Sequence, residues 1–163
     1  MRVRRREDAD LQVCAALLLR VRDATGYPVN LPEDPVAWIR GDVLAWSAEV
    51  APGEIVEVRG SHQAWVAELE GGIVGHVALH RRANRTAAVE RLYVDPDHAR
   101  AGIGSALLRT AADAARDTGW SLVLEAVDRP GGPLPFYAAL GWREVGRSHV
   151  DWTDHELVHL EPR

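Results

Sequence analysis

The densest group of chemically useful residues is Val89-Glu90-Arg91-Leu92-Tyr93-Val94-Asp95-Pro96-Asp97-His98-Ala99-Arg100-Ala101-Gly102-Ile103-Gly104-Ser105-Ala106-Leu107-Leu108. A strand ends at Asp95-Pro96, a loop follows, and a helix opens around Gly102 and Gly104. Glycines there let the backbone approach a ligand closely. A helix start presents unpaired N–H groups and a positive dipole end, which together suit phosphate. Arg100 adds a fixed charge, so the segment suits a pyrophosphate. The dinucleotide fingerprint G-x-G-x-x-G is not met, because Leu107 stands at its third glycine. The plainer alternative is that Gly102 and Gly104 are turn residues. Two carboxylates lie nearby in the pattern. Glu90 alternates with Leu92 and Val94, which places the three on one strand face. Glu125 directly follows the apolar run Leu122-Val123-Leu124, where a carboxylate needs a task or a partner.

Composition removes several other chemistries. The chain has 163 residues, a formal net charge of -5 and 19 basic residues, all of them arginine. Without lysine there is no P-loop lysine and no Schiff-base catalysis. Cys14 is the single cysteine, so there is no internal disulfide and no cysteine-based zinc site. A lone thiol fits a cytoplasmic protein. No apolar run approaches the ~20 residues of a membrane span. The basic start Met1-Arg2-Val3-Arg4-Arg5-Arg6 is followed by Glu7, Asp8 and Asp10, which argues against a signal peptide. The acidic total argues against a nucleic-acid partner and favours cationic substrates.

The elements that must hold these residues follow from periodicity and punctuation. Residues 2–5 suit a short strand. Asp8 or Asp10 can cap a helix whose apolar stripe is Leu11, Cys14, Ala15, Leu18 and Val21. A proline-bearing loop over 28–35 leads to a short helix capped by Asp34-Pro35. Residues 42–62 carry the weakest pattern. Two apolar runs around Gly71-Gly72 predict a hairpin, and 87–94 predicts a further strand. Helical spacing covers 103–118, with Gly119 at its end. Residues 122–124 suit a buried parallel strand. A short helix at 134–140 and a last hairpin, 142–147 with 156–160, complete one domain over 1–163. The order β-α-α-β-β-β-α-β-α-β-β predicts an α/β or α+β fold, a mixed and mostly antiparallel sheet with helices on both faces.

Two motifs in order carry a family resemblance. The strand, Asp95-Pro96, the loop and Gly102-Ile103-Gly104-Ser105-Ala106-Leu107-Leu108 come first. Phe136-Tyr137-Ala138-Ala139-Leu140-Gly141-Trp142 follows after another strand. The pair resembles the GNAT superfamily of N-acetyltransferases over about residues 64–147. The family's loop, Q/R-x-x-G-x-G/A, binds the pyrophosphate of acetyl-coenzyme A through backbone N–H groups. Here Ala99 stands at the Q/R position with Arg100 beside it. Pro130 stands where the family often has an asparagine.

The resemblance implies a set of roles. Leu92, Tyr93 and Val94 would pair with the pantetheine arm as an added strand would. Arg100, Ala101, Gly102, Ile103, Gly104 and Ser105 would cradle the pyrophosphate. Tyr137 would contact the cofactor and protonate the departing thiolate, as a phenol with a pKa near 10 can. Its plainer role is packing against Leu140 and Trp142. Glu90 is the first candidate base and Glu125 the second, or an anchor for the substrate ammonium; water relay is equally open. For Glu90 the alternative is a strand-edge carboxylate paired with an arginine. Tyr27, Asn30 and Trp38 lie where the family's acceptor site begins, or in a plain connector. His76 with His80 and His155 with His159 are too far apart along a strand for one metal ion, and no metal is expected. His98 reads as a solvated loop residue that touches the cofactor. Trp120, Trp142 and Trp152 read as core or interface aromatics. The implied enzyme moves acetyl from acetyl-CoA to a primary amine of a small molecule, with no membrane partner. The family is often dimeric, so a homodimer is a partner state to check. The alternatives are a protein or peptide N-acetyltransferase and a non-catalytic acyl-CoA-binding module.

Overall fold

A computed structural model describes residues 1–41 and 62–163. The poorly patterned segment falls almost wholly outside the described residues. Seven strands form one sheet: β1 (Arg2–Arg5), β2 (His62–Leu69), β3 (Gly72–Arg81), β4 (Thr86–Val94), β5 (Ser121–Val127), β6 (Trp142–Ser148) and β7 (Leu157–Pro162). Their spatial order is β1-β2-β3-β4-β5-β7-β6. Only β4 and β5 run parallel; every other neighbouring pair is antiparallel. The crossover between them is α3 (Ile103–Asp117), as a parallel pair requires. The predicted mixed sheet with helices on both faces is the one observed.

Alternation along the strands divides the apolar residues between the two faces. Trp65, Val77, Leu79, Val89 and Leu124 pack with Ile103, Leu107 and Ala111 of α3. Val66 and Tyr93 pack on the other face with α1 (Leu11–Thr25) and α2 (Pro35–Arg40). Leu18 and Leu107, one from each cluster, are fully buried. Truncating either to alanine would cost ~2–5 kcal/mol. The short helix α4 (Leu134–Ala139) adds Tyr137 to the α3 cluster.

Local details refine the sequence reading. Asp34 caps α2 by accepting from Ala37 N–H at 3.0 Å. Asp10 occupies the N-cap position of α1 but does not cap with its side chain. Its carboxylate accepts from Glu7 N–H at 2.7 Å and pairs with Arg4 at 2.7 Å. The β2–β3 turn is Glu70-Gly71, one residue earlier than Gly71-Gly72 suggests. Both residues have positive φ, 52° and 84°, and Leu69 pairs with Gly72. That is the backbone a two-residue hairpin loop with matching twist needs. No helix among the described residues is long and apolar enough to cross a membrane.

Candidate active site

The site begins where two parallel strands part. β4 and β5 stay in register from Thr86–Ser121 to Val89–Leu124, and no pairing follows. The next residues on the two strands are Glu90 and Glu125. β4 continues to Val94 along β3, while β5 continues to Val127 along β7. The gap leaves part of β4 open on its β5 side.

Within this open stretch β4 carries a bulge. His76 pairs with Tyr93 and Ala78 with Glu90, so Arg91 and Leu92 stand opposite the single residue Val77. Arg91 has φ 51° and is only 4% exposed. Left-handed backbone is costly for an arginine, and such strain persists only where the surroundings hold it. His76 holds it here. Its ring is fully buried, stacks on Tyr93 at 5.1 Å, and its Nδ1 lies 2.9 Å from the Arg91 carbonyl. The contact needs Nδ1–H as the donor. Burial lowers the His76 pKa to about 3, so the ring is neutral. The guanidinium of Arg91 stacks over Trp38 at 4.9 Å and donates to His62 Nε2 at 3.0 Å. Burial, with the charge of Arg91 next, lowers His62 to about 4, so its Nε2 is free to accept.

The bulge corrects the face assignment of Glu90. Simple alternation puts Glu90 with Leu92 and Val94. The extra residue reverses parity, so Glu90 shares a face with Tyr93, His76 and Ala78 instead. Leu92 and Val94 pack towards α3, whereas Tyr93 belongs to the α1/α2 side. Glu125 lies on that second side too, because Leu124 and Ala126 face α3. The carboxylates therefore meet on one face, as the Val89–Leu124 register ahead of the bulge requires. Arg82 sits between them, 3.6 Å from Glu90 and 3.2 Å from Glu125. Glu90 also meets Arg91 at 3.0 Å and His80 at 3.7 Å, and Glu125 meets His159 at 3.4 Å. Burial pushes the Glu90 carboxyl up, but the His80 hydrogen bond and the arginine charges outweigh it. The net shift is below the ordinary carboxylate value.

Two cavities meet at the fork. One, about 520 Å³, lies at the start of α3 and is lined by Arg100, Gly102, Ile103, Gly104, Ser105 and Phe136, among others. The first helical bond of α3 runs from Ala106 N–H to the Gly102 carbonyl. The N–H groups of Ile103, Gly104 and Ser105 thus have no partner within the helix. Arg100 and Gly102 both have positive φ, 63° and 79°, which curls the loop into a turn suited to anions. His98 lines this cavity as well, and Ala101 lines neither. The second cavity, about 430 Å³, opens on the α1/α2 side and contains Tyr27, Asn30, Trp38, Glu90 and Glu125 in its wall. Leu92, Tyr93, Val94, Pro133 and Tyr137 line both. Tyr137 is 8% exposed and packs edge-on against Trp142 at 6.1 Å. Packing and a place at the junction are thus both true of it. Burial raises its hydroxyl above the ordinary tyrosine value.

Residues 60–144 match the family described as the acetyltransferase (GNAT) domain. The chain belongs to the GNAT acetyltransferase family. This GNAT chain shares its fold with solved structures of low identity. An aminoglycoside 6′-N-acetyltransferase complexed with coenzyme A gives a TM-score of 0.74 at 14% identity, over 98% of this chain and 95% of that one. The ribosomal-protein-S18-alanine N-acetyltransferase of Escherichia coli gives 0.71 at 16%, over 99% and 92%. A PaiA N-acetyltransferase from Thermoplasma acidophilum, in complex with coenzyme A, gives 0.68 at 20%, over all of both chains. No curated protein matches the chain. The GNAT enzyme is an N-acetyltransferase whose fold neighbours act on both small molecules and protein.

Several wall residues escape sequence reasoning. Arg82, Arg91 and Arg129 line the second cavity, and so does Trp152, which reads from sequence as a core or interface aromatic. Trp142 is buried in the core as read. Trp120 packs at its margin, with Arg81 over its ring at 5.6 Å. Among the described residues no cluster of three or more His, Cys, Asp or Glu could hold a metal ion.

Proposed function

We propose that the chain transfers the acetyl group of acetyl-CoA to the primary amine of a small molecule, by direct attack in a ternary complex. One observation carries the reading. Two cavities of different character share the wall Leu92–Val94, Pro133 and Tyr137. One offers backbone N–H groups and Arg100 to a pyrophosphate, and the other offers aromatic and charged side chains to an acceptor. A thioester lying along β4 in the fork would present its carbonyl to the second cavity. A volume of about 430 Å³, walled by several separate segments, suits a small amine better than a peptide.

The steps follow from the residues at the junction. The amine attacks as the free base, forming a C–N bond as the C–S bond breaks. The bulge takes a residue out of the β3–β4 ladder, which makes a backbone N–H near Leu92 available to the oxyanion. Glu90 is held ionised by its neighbours and is a weak base. It takes the ammonium proton through water rather than by direct transfer, and Glu125 steadies the ammonium. Tyr137 stays protonated at every working pH and hydrogen-bonds the developing thiolate, so the sulfur leaves as a thiol. The tyrosine recovers the proton released by the amine.

The test is release of free CoA thiol across an amine library, with acetyl-CoA binding followed separately by thermal shift. Thiol release that depends on a small amine supports the reading. Release with peptide amines alone would move the enzyme to the protein-acetylating class. Binding without release under any amine would leave an acyl-CoA-binding module.

A further inference from the structure

Among its described lining residues, the acceptor-side cavity is charged opposite to the molecule as a whole. The chain carries a net -5, yet three arginines face two glutamates in the cavity wall. Both carboxylates are engaged within the protein. Glu90 meets Arg91, Arg82 and His80, and Glu125 meets Arg82 and His159. Among the described wall residues, Arg82 and Arg91 balance Glu90 and Glu125, and Arg129 is the surplus charge. Among the described residues its guanidinium has no hydrogen-bond or ion-pair partner, although the side chain is half-buried.

The position of Arg129 is built. Its carbonyl accepts from Gly132 N–H at 2.9 Å, closing a turn in which Gly131 has φ 69°. A Cβ on Gly132 would fall 2.8 Å from that carbonyl and 3.1 Å from Arg129 Cγ. The guanidinium reaches across to the end of α1, where Nη1 lies 3.8 Å from the place a Cβ on Gly26 would occupy. It thus bridges from the loop after β5 to the end of α1, just before Tyr27. The same wall carries the apolar and aromatic residues Val21, Tyr27, Pro28, Trp38 and Trp152.

We propose that the acceptor is an amino-acid-like amphiphile, whose carboxylate is bound by Arg129 and whose apolar body fills the aromatic wall, with its amine directed at the fork of β4 and β5. The inference rests on reading this cavity as the acceptor site. A planar guanidinium with a free fork of donors matches a carboxylate in two-point contact.

The experiment separates this inference from acetyl transfer by using binding, not turnover. Matched N-acetyl amino acids and N-acetyl amino-acid amides, with leucine, phenylalanine and tryptophan side chains, are titrated calorimetrically into the CoA-loaded protein. Neither member of a pair has a titrating amine, so only the carboxylate differs. The acid is expected to bind about 10-fold more tightly than its amide in at least one pair, as a charged hydrogen-bonded contact provides. Arg129→Met should erase the difference, Arg129→Lys should keep part of it, and added salt should shrink it. Unaltered stabilisation of Arg129→Met by CoA shows that the variant folds. Equal affinities, tighter amides, no binding by any acid, or undiminished discrimination in Arg129→Met would each overturn the proposal. Acid-selective binding without thiol release from any amine would instead sink the acetyl-transfer reading alone. Thiol release from the parent amino acids and amino-acid amides alike, with equal affinities within each N-acetyl pair, would do the reverse.

Discussion

The two cavities that meet at Tyr137 are built by opposite means. The one at the start of α3 is made of backbone. Its donors are N–H groups of a helix that begins at Gly102, and its shape depends on missing side chains. The one on the α1/α2 side is made of side chains from distant segments, joined by charge pairs through Arg82. A backbone site depends on where the chain turns and on glycine. A side-chain site depends on which residues the fold delivers, and tolerates change more gradually. Substitutions that fill the first should therefore act as near-complete losses of binding, and those at the second as graded losses of rate.

The sharpest contrast comes within the first cavity. A Cβ on Gly104 would lie 3.3 Å from Phe136 Cζ and 3.7 Å from Val94 Cγ2. Valine there would fill the cleft between α3 and the splayed end of β4. Gly104→Val is expected to weaken acetyl-CoA binding by at least ~100-fold, roughly 2.7 kcal/mol, and to abolish the thermal shift. Gly102 has φ 79° and nothing within 4 Å of its Cβ direction. Gly102→Val therefore meets strain but no clash, about 1–2 kcal/mol, or on the order of 10-fold. Equal losses at both positions would show that loop conformation, not open space, makes the cradle.

Tyr137 stands at the boundary and should split the two properties. Tyr137→Phe keeps the packing on Trp142 and removes only the hydroxyl. The turnover number should fall about 100-fold, the low end for loss of a positioned proton donor. Acetyl-CoA affinity should change less than about 2-fold, since the backbone cradle is untouched. Loss of affinity in step with rate would mean that the hydroxyl binds cofactor rather than assists departure. No basic limb from Tyr137 is expected in the pH–rate profile below about pH 10, because burial raises its pKa.

The pH dependence on the acid side tests the charge network. The Glu90 carboxyl is held below its ordinary value, so it is ionised throughout an assay range above pH 5. The rise of kcat/KM with pH should then follow the free-base fraction of whichever amine is used, and shift when the amine is changed. Glu90→Gln should lower the rate about 10-fold, the size of one buried charged hydrogen bond, without moving that limb. A limb that disappears in Glu90→Gln would make Glu90 a direct base. The stability that the ionised Glu90 provides is present above its unfolded-state pKa and is lost as pH falls through the lower folded value.

The same division explains how much was legible in the sequence. Element order, the parallel pairing of 122–124 and the loop before α3 rest on local signals: periodicity, Asp-Pro, Gly-x-Gly. Tyr27, Asn30, Trp38, Glu90 and Glu125 share one wall, where the sequence left 27–38 open between a pocket and a plain connector, and the alternation argument for Glu90 fails. The bulge that reverses its parity is centred on Arg91, an L-residue at positive φ. A glycine there would have signalled the break, and arginine does not. Glu70 hides the hairpin turn in the same way, while the adjacent glycines point one residue too far. Arg82, Arg129 and Trp152 carry no motif at all. They are united only by strands and loops that are remote in sequence, so nothing short of the fold brings them together.

His76 offers the smallest and most discriminating test, because it touches neither cavity. It is one layer behind the junction, where its Nδ1–H holds the Arg91 carbonyl and so fixes the bulge on which both walls depend. His76→Asn keeps a donor in nearly the same place, whereas His76→Leu removes it. One neutral hydrogen bond is worth about 1 kcal/mol, so the leucine variant should lose about 5-fold in kcat, with the KM for acetyl-CoA little changed. The asparagine variant should recover most of that loss. A merely structural role would instead lower stability in both variants and leave kcat per folded molecule intact. The acid response gives a second reading. Burial lowers the folded-state pKa of His76 to about 3, from an ordinary 6.5. Below pH 6.5 the unfolded chain thus binds a proton that the native ring refuses, and stability falls steadily as pH drops towards 3. His62, lowered to about 4 by burial, adds to the same slope. Replacing His76 by leucine should flatten this part of the stability–pH curve. The kcat penalty should stay constant across it, because the ring that holds the bulge is neutral throughout.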